Sequence, residues 1–263
     1  MKRVIFSNKW ETYFSKAGLS SFEDFYHING HLVSKNEKRK VITFHVDDGI
    51  NSKQFYIKCF KKPHLKDIFF AWRRSGRLCS QGKYEWDCAN FLLQNGIGTY
   101  KPVCYGEDTI LGLDQSSFFV NQKLQGQSLT DFVSKQWQNL ERREKEDFIK
   151  DLGVFVRKIH NLNINFPDLY LWHIFIDRHE DQCEFSIIDL HRMARNVIST
   201  NGKIKNLGRL DHSMTEKHFD QSLHRLFIES YAGNDWPGSI KELHAKVMKY
   251  SAAVSLKRKP WVY

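Results

Sequence analysis

The chain has 263 residues, enough for one large domain or two lobes, and a formal net charge of +10 from 40 Lys and Arg against 30 Asp and Glu. Its 41% hydrophobic content supports a sizeable core without disulfides. The charge favours an anionic partner, such as nucleic acid, nucleotide, phosphorylated glycan or an anionic membrane face, and composition does not choose among these.

The cysteines Cys59, Cys79, Cys88, Cys104 and Cys183 are odd in number and form no CxxC pair, which speaks for reduced thiols in a cytosolic setting and against a zinc ribbon or disulfide frame. The opening MKRVIFSNKWETYF has basic residues but no long apolar stretch, so it does not read as a signal peptide. No run of about 18 apolar residues is present to span a membrane.

In chain order, residues 20–30 (SSFEDFYHING) predict a short helix, capped by Ser20 or Ser21 and ended by Asn29 and Gly30. Strands are expected at 31–36, 40–46 (KVITFHV) and 54–60 (QFYIKCF), with a turn at 47–52 (DDGINS). In the last strand Phe55, Ile57 and Cys59 share one face, and Tyr56, Lys58 and Phe60 the other. A helix at 65–73, a basic loop at 73–83 and a helix at 83–94 follow, the last with Glu85 in its first turn and Gly96 beyond its end. Strands at 101–106 and 117–122 complete a β-rich half, and 123–128 (KLQGQS) reads as a connector. Helices are expected at 129–137 and 142–162, the second with Phe148, Leu152, Phe155, Val156 and Ile159 at helical spacing, and again at 218–231 and 239–254. The pattern is that of an α+β, two-lobed protein-kinase-like fold, with a β-rich N-lobe over 1–122 and a helical C-lobe over 123–263.

The helical half contains the stretch carrying the chemistry. Residues 166–173 (FPDLYLWH) set Asp168 five residues before His173, and 185–192 (FSIIDLHR) ends an apolar run on Asp189. Phosphoryl transfer needs a cation on the nucleotide phosphates, a divalent metal and a carboxylate that orients and deprotonates the acceptor hydroxyl. Lys58 on a strand, then Glu85 on the next substantial helix, is the order of the phosphate-holding lysine and the glutamate that orients it. Asp168 is the candidate catalytic base. Asp189 is the candidate metal ligand, because an Asp in so apolar a run needs a buried partner or a metal. His173 stands where a kinase has its metal-binding Asn, and it either joins the metal site or hydrogen-bonds Asp168. Arg192 either binds an acceptor phosphate or forms an ion pair within its lobe. His160 reads as structural, bonding the backbone beneath the site.

These segments, YIKCFKK, LKDIF, KYEWDCANFLLQNGIGT, RKIHNLNINFPDLYLWHIFI and FSIIDLHRMAR, lie in order between about residues 30 and 231. Together they resemble the bacterial lipopolysaccharide core kinases, a heptose and Kdo kinase family with a protein-kinase-like fold. The resemblance implies ATP-dependent phosphorylation of a sugar hydroxyl of the lipopolysaccharide inner core, with Mg2+, at the cytoplasmic face of the inner membrane. The lysine-to-glutamate segment and the IDLHR run look closest to the heptose kinases, so heptose is favoured over Kdo. The sequence departs from the kinase pattern in three places: Phe166 and Pro167 precede Asp168 in place of His-Arg, Leu190 and His191 follow Asp189 in place of Phe-Gly, and no glycine lies between His31 and Lys40, leaving phosphate cover to backbone amides and lysines there. A kinase of another small-molecule or protein acceptor, and a nucleotide-binding pseudokinase, remain as other readings. Nucleic acid is not expected as a partner, because no base-stacking motif or groove-reading helix accompanies the charge. The basic residues Lys61, Lys62, Lys66, Arg73, Arg74 and Arg77, and the tail Lys257, Arg258 and Lys259 with Trp261 and Tyr263, fit either anionic lipid or a solvated face.

Overall fold

The computed structural model describes residues 1–7, 10–47, 52–61, 72, 78–111, 113–179, 182–195, 198–234 and 236–256. The chain divides into two compact units, Met1–Leu124 and Gln125–Tyr263.

The first unit is built on a six-stranded antiparallel sheet in the order β1-β5-β6-β4-β3-β2. Its strands are β1 (Lys2–Phe6), β2 (His31–Lys35), β3 (Arg39–Asp47), β4 (Ser52–Phe60), β5 (Pro102–Ile110) and β6 (Leu113–Gln122). Alternation sorts β4 as its sequence predicts: Phe55, Ile57 and Cys59 are buried in an aromatic core with Phe14, Phe25, Phe44 and Phe118. Two short helices, α1 (Trp10–Lys16) and α2 (Phe22–Tyr26), cover that face, with the Phe14 ring 5.0 Å from Phe55. Ser21 caps α2 in a capping box with Asp24, and the helix ends at Tyr26, well before Asn29 and Gly30. Gly30 instead runs against β3, where a Cβ would sit 2.2 Å from the Thr43 carbonyl oxygen.

The opposite face, bearing Lys58 and its cross-strand partner Phe119, is covered by α3 (Gln81–Gln94). Trp86 of α3 packs on Tyr105 at 5.3 Å. Strand β1 and helix α1 have no counterpart among the sequence-predicted elements. Of the expected helix at 65–73 only Trp72 is described; Lys62, Lys66, Arg73, Arg74, Arg77 and the tail 257–263 lie outside the described residues, as does most of the 47–52 turn.

The second unit has a three-stranded sheet in the order β7-β8-β9, from β7 (Gln127–Ser128), β8 (Ile174–His179) and β9 (Gln182–Ile187). Its helices are α4 (Leu129–Lys135), α5 (Arg142–Asn161), α6 (Thr200–Ser213), α7 (Gln221–Ala232) and α8 (Ile240–Ser255). The helical spacing of α5 is borne out in burial: Phe148, Leu152, Phe155, Val156 and Ile159 are all in the core. Helix α5 packs on α7, and α6 on α8. Helix α6 has no sequence-predicted counterpart. It carries Gly202 and Gly208, each costing about 1 kcal/mol of helix propensity against Ala. At Gly208 that cost is offset by packing, since a Cβ there would lie 2.8 Å from the Tyr250 ring of α8.

Candidate active site

In the first unit, Lys58 and Glu85 meet. Lys58 Nζ lies 2.9 Å from Glu85 Oε2, with the Glu85 side chain fully buried. Tyr100 closes the pair: its hydroxyl donates to Glu85 Oε2 at 3.0 Å, and its ring lies 5.4 Å from the ammonium. No sequence signal marks Tyr100, whose role depends on a fold that brings it back to α3. Glu85 Oε1 is buried and has no hydrogen-bond partner among the described residues.

Glu85 is held in place by the way α3 starts. The first amides of a helix have no partner within it. Here Gln81 N–H donates to Asp114 Oδ2 at 3.0 Å, Gly82 N–H to Ser117 Oγ at 3.2 Å and Lys83 N–H to Ser80 Oγ at 3.1 Å. Asp114 and Ser117 belong to β6, so the helix is fastened to the strand paired with the one that bears Lys58. Burial pushes the Asp114 carboxyl up to about 6, against the hydrogen bonds from Gln81 and Ser117 that lower it.

In the β2–β3 turn Asn36 organises the backbone. The Lys38 and Arg39 amides both donate to Asn36 Oδ1 at 2.9 Å. An Asx turn therefore engages the Lys38 amide, one of those expected to cover a phosphate.

In the second unit, four predicted residues converge. Arg192 Nη1 donates to both Asp168 carboxylate oxygens, at 2.8 and 3.2 Å, which is the ion pair within the lobe that its sequence allowed. His173 Nδ1 lies 2.7 Å from the Asp168 main-chain oxygen, and a carbonyl only accepts, so Nδ1 carries the proton and donates. His173 Nε2 is then directed to within 3.8 Å of Asp189 Oδ2. Asp189 follows β9 in the left-handed region, at φ 61° and ψ 58°, a conformation Asp tolerates better than most side chains. It turns the strand into the short 3-10 turn Leu190–Arg192, which delivers Arg192 to Asp168. His191 Nδ1 lies 3.0 Å from Asp189 Oδ1, a contact that the sequence shows only as a departure from the Phe-Gly pattern.

The loop carrying Asp168 and His173 is fastened at both ends by α6. Asn206 Oδ1 accepts from the Phe166 amide at 2.7 Å, and Ser213 Oγ accepts from the Leu171 amide at 3.0 Å. Asn206 Nδ2 donates to Asn165 Oδ1 at 3.0 Å, and Asn165 in turn bridges to Ala194. His160 supports this arrangement through Asn206 rather than by touching the loop backbone itself. Its Nε2 lies 3.3 Å from Asn206 Oδ1, and its Nδ1 lies 2.9 Å from the Tyr231 hydroxyl.

Burial lowers the His160 imidazole from 6.5 to about 3. Below its unfolded value the unfolded chain takes a proton that the folded unit refuses. The His160 contribution is therefore complete above pH 6.5 and fades as pH falls toward 3, at up to about 1.4 kcal/mol per pH unit. His160→Gln should flatten the acid side of a stability-against-pH profile measured by urea unfolding. An unchanged slope would remove His160 from that dependence.

Comparison with known proteins gives this arrangement its family. Residues 23–231 match the model of the lipopolysaccharide kinase (Kdo/WaaP) family. The chain belongs to that family. It is 27% identical over 181 residues to the lipopolysaccharide core heptose(I) kinase WaaP of Escherichia coli (strain K12), covering 66% of this chain and 67% of that protein. It is 24% identical over 156 residues to the WaaP of Pseudomonas aeruginosa, covering 57% of this chain and 58% of that one. A solved structure of WaaP in complex with acyl carrier protein superposes with a TM-score of 0.72 at 20% identity, covering 97% of this chain and 98% of that one, which establishes the α+β kinase-like fold. All six predicted site residues lie inside the family match.

Proposed function

We propose that this kinase transfers the terminal phosphate of ATP to a heptose hydroxyl of the lipopolysaccharide inner core, with a Kdo hydroxyl as the second choice of acceptor. The observation that carries the reading is the Asp168 loop. It bears a partly exposed carboxylate, is fastened by Asn206 and Ser213, and is linked by His173 to a second carboxylate, Asp189. The name of the curated relatives, heptose(I) kinase, supports heptose over Kdo.

The roles follow from chemistry. Lys58, oriented by Glu85 and Tyr100, holds nucleotide phosphates. Asp168 orients the acceptor hydroxyl and takes its proton. Asp189 supplies the hard carboxylate oxygen that Mg2+ prefers, and the nucleotide phosphates supply others. When bound, Mg2+ offsets charge on the phosphates being separated. His173 Nε2 is a poorer Mg2+ donor than oxygen and serves better through an intervening water. Arg192 holds Asp168 in its resting position and is well suited to an anionic group on the acceptor.

A glycolipid acceptor fits a peripheral site on the anionic cytoplasmic face of the inner membrane. Residues 1–124 hold 19 basic against 12 acidic residues, +7 of the total +10. Ile110, Leu111 and Leu113, exposed at the β5–β6 turn, add apolar surface suited to a headgroup layer. Among the described residues no helix is long and apolar enough to cross a membrane.

Mass spectrometry of lipopolysaccharide from cells with and without the gene tests the proposal. Loss of one phosphate is expected, located on heptose by fragmentation. Retention of every phosphate, with ATP binding intact in the purified protein, would favour the pseudokinase reading.

A further inference from the structure

Between Asp168 and His173 the chain places two aromatic side chains, Tyr170 and Trp172, in parallel stacking, with ring centroids 4.3 Å apart and planes inclined by 8°. Their surroundings divide them. Leu169, Tyr170 and Leu171 are buried, whereas Trp172 is partly exposed. The stacking puts the two rings side by side on the loop, and His173 meets both near edge-on, at 6.3 and 5.9 Å. The loop itself is held at Phe166 and Leu171 by α6. A large amphipathic ring four residues after the candidate base Asp168 is therefore fixed in orientation by the stacked, buried Tyr170 and by a fastened backbone.

We propose that Trp172 is the stacking platform for the acceptor sugar, a specificity-determining residue that the apolar C–H face of a pyranose ring covers while its hydroxyl is presented to Asp168. This rests on the sugar-kinase reading and adds to it the surface that recognises the acceptor. A pyranose has one face rich in polarised C–H groups, and the negative face of an indole attracts them as it attracts other positive groups. The pre-stacked Tyr170 spares the loop an ordering cost on binding. The charged groups at hand, Asp168 and Arg192, suit the hydroxyls and anionic substituents of the sugar edge and leave its apolar face without a partner, which the indole supplies.

The test measures binding of deacylated inner-core oligosaccharide, containing heptose and Kdo, to the full chain without ATP, beside steady-state kinetics with both substrates. Trp172→Leu keeps apolar bulk over Tyr170 but removes the π face, and Trp172→Phe restores a π face on a smaller ring. Trp172→Leu should weaken oligosaccharide binding and raise the acceptor KM by about ten-fold, the change that roughly 1.4 kcal/mol of weakened stacking produces. Its KM for ATP and its kcat at saturating acceptor should stay close to wild type, and Trp172→Phe should recover most of the acceptor affinity. Equal oligosaccharide binding by wild type and Trp172→Leu would overturn the platform. So would a Trp172→Leu defect confined to ATP or to kcat, or a Trp172→Phe variant as impaired as Trp172→Leu. Failure of the wild-type chain to phosphorylate the oligosaccharide would instead count against the sugar-kinase reading.

Discussion

Asp168→Asn should lower kcat for phosphate transfer by about 10²- to 10⁴-fold, the usual contribution of a positioned general base. The substitution keeps shape and one acceptor oxygen, but an amide does not take a proton from the acceptor hydroxyl. The fold should tolerate it. Asp168 is fixed by its loop rather than by its carboxylate, since Asn206 and Ser213 hold the Phe166 and Leu171 amides and the His173 imidazole bonds the main-chain oxygen. The substitution weakens the ion pair with Arg192, a side chain about half exposed, and such pairs contribute under about 1 kcal/mol. Urea unfolding should therefore give a midpoint near wild type while turnover collapses. Wild-type turnover in Asp168→Asn would falsify the assignment of the base.

Lys58→Met should affect both nucleotide binding and stability. Glu85 is fully buried and its Oε2 is shared by Lys58 and Tyr100. Removing the ammonium leaves a buried carboxylate against a neutral hydroxyl. Breaking one side of a buried pair costs about 3–5 kcal/mol, largely because the remaining charge is uncompensated. The first unit should accordingly unfold at a lower urea midpoint, and the ATP-induced thermal shift should vanish. The double variant Lys58→Met with Glu85→Gln, neutral on both sides, should regain most of the stability and none of the nucleotide response. Full stability in the single variant would mean that Glu85 finds its compensation elsewhere. A normal ATP shift in the double variant would remove Lys58 from phosphate binding.

Local periodicity accounts for the elements that sequence reading locates well. In β4 the pleat sends Phe55, Ile57 and Cys59 inward and leaves Lys58 on the α3 side, and in α5 the 3.6-residue repeat buries Phe148, Leu152, Phe155, Val156 and Ile159. Both patterns sit within one element and do not depend on what packs against it. Strand β1 escapes such reading because its five residues are a strand by virtue of pairing with β5 about a hundred residues later. Helix α6 escapes it because two glycines and a polar composition weaken its local signal. Its support comes from α8 and from the backbone of the Asp168 loop. Helix α2 is shorter than its sequence suggests because Gly30, which looks like a stop, is a close approach to β3.

The candidate site divides along the same line. Residue type and spacing were enough to nominate the candidate side chains and their order: a strand lysine, a helix glutamate, a loop aspartate with a histidine five residues on, and an aspartate ending an apolar strand. How those side chains are held depends on the tertiary fold. It placed Tyr100 on Glu85, fastened α3 to Asp114 and Ser117, and gave the Asp168 carboxylate to Arg192. It also fixed the His173 proton on Nδ1 by setting that atom against a carbonyl, and used Asn206 to join His160 to the loop. Most of these are hydrogen bonds between residues far apart in sequence. Their partners are selected by packing, which no local pattern encodes, and burial makes those such as Tyr100–Glu85 and Asn206–Phe166 costly to leave unmade.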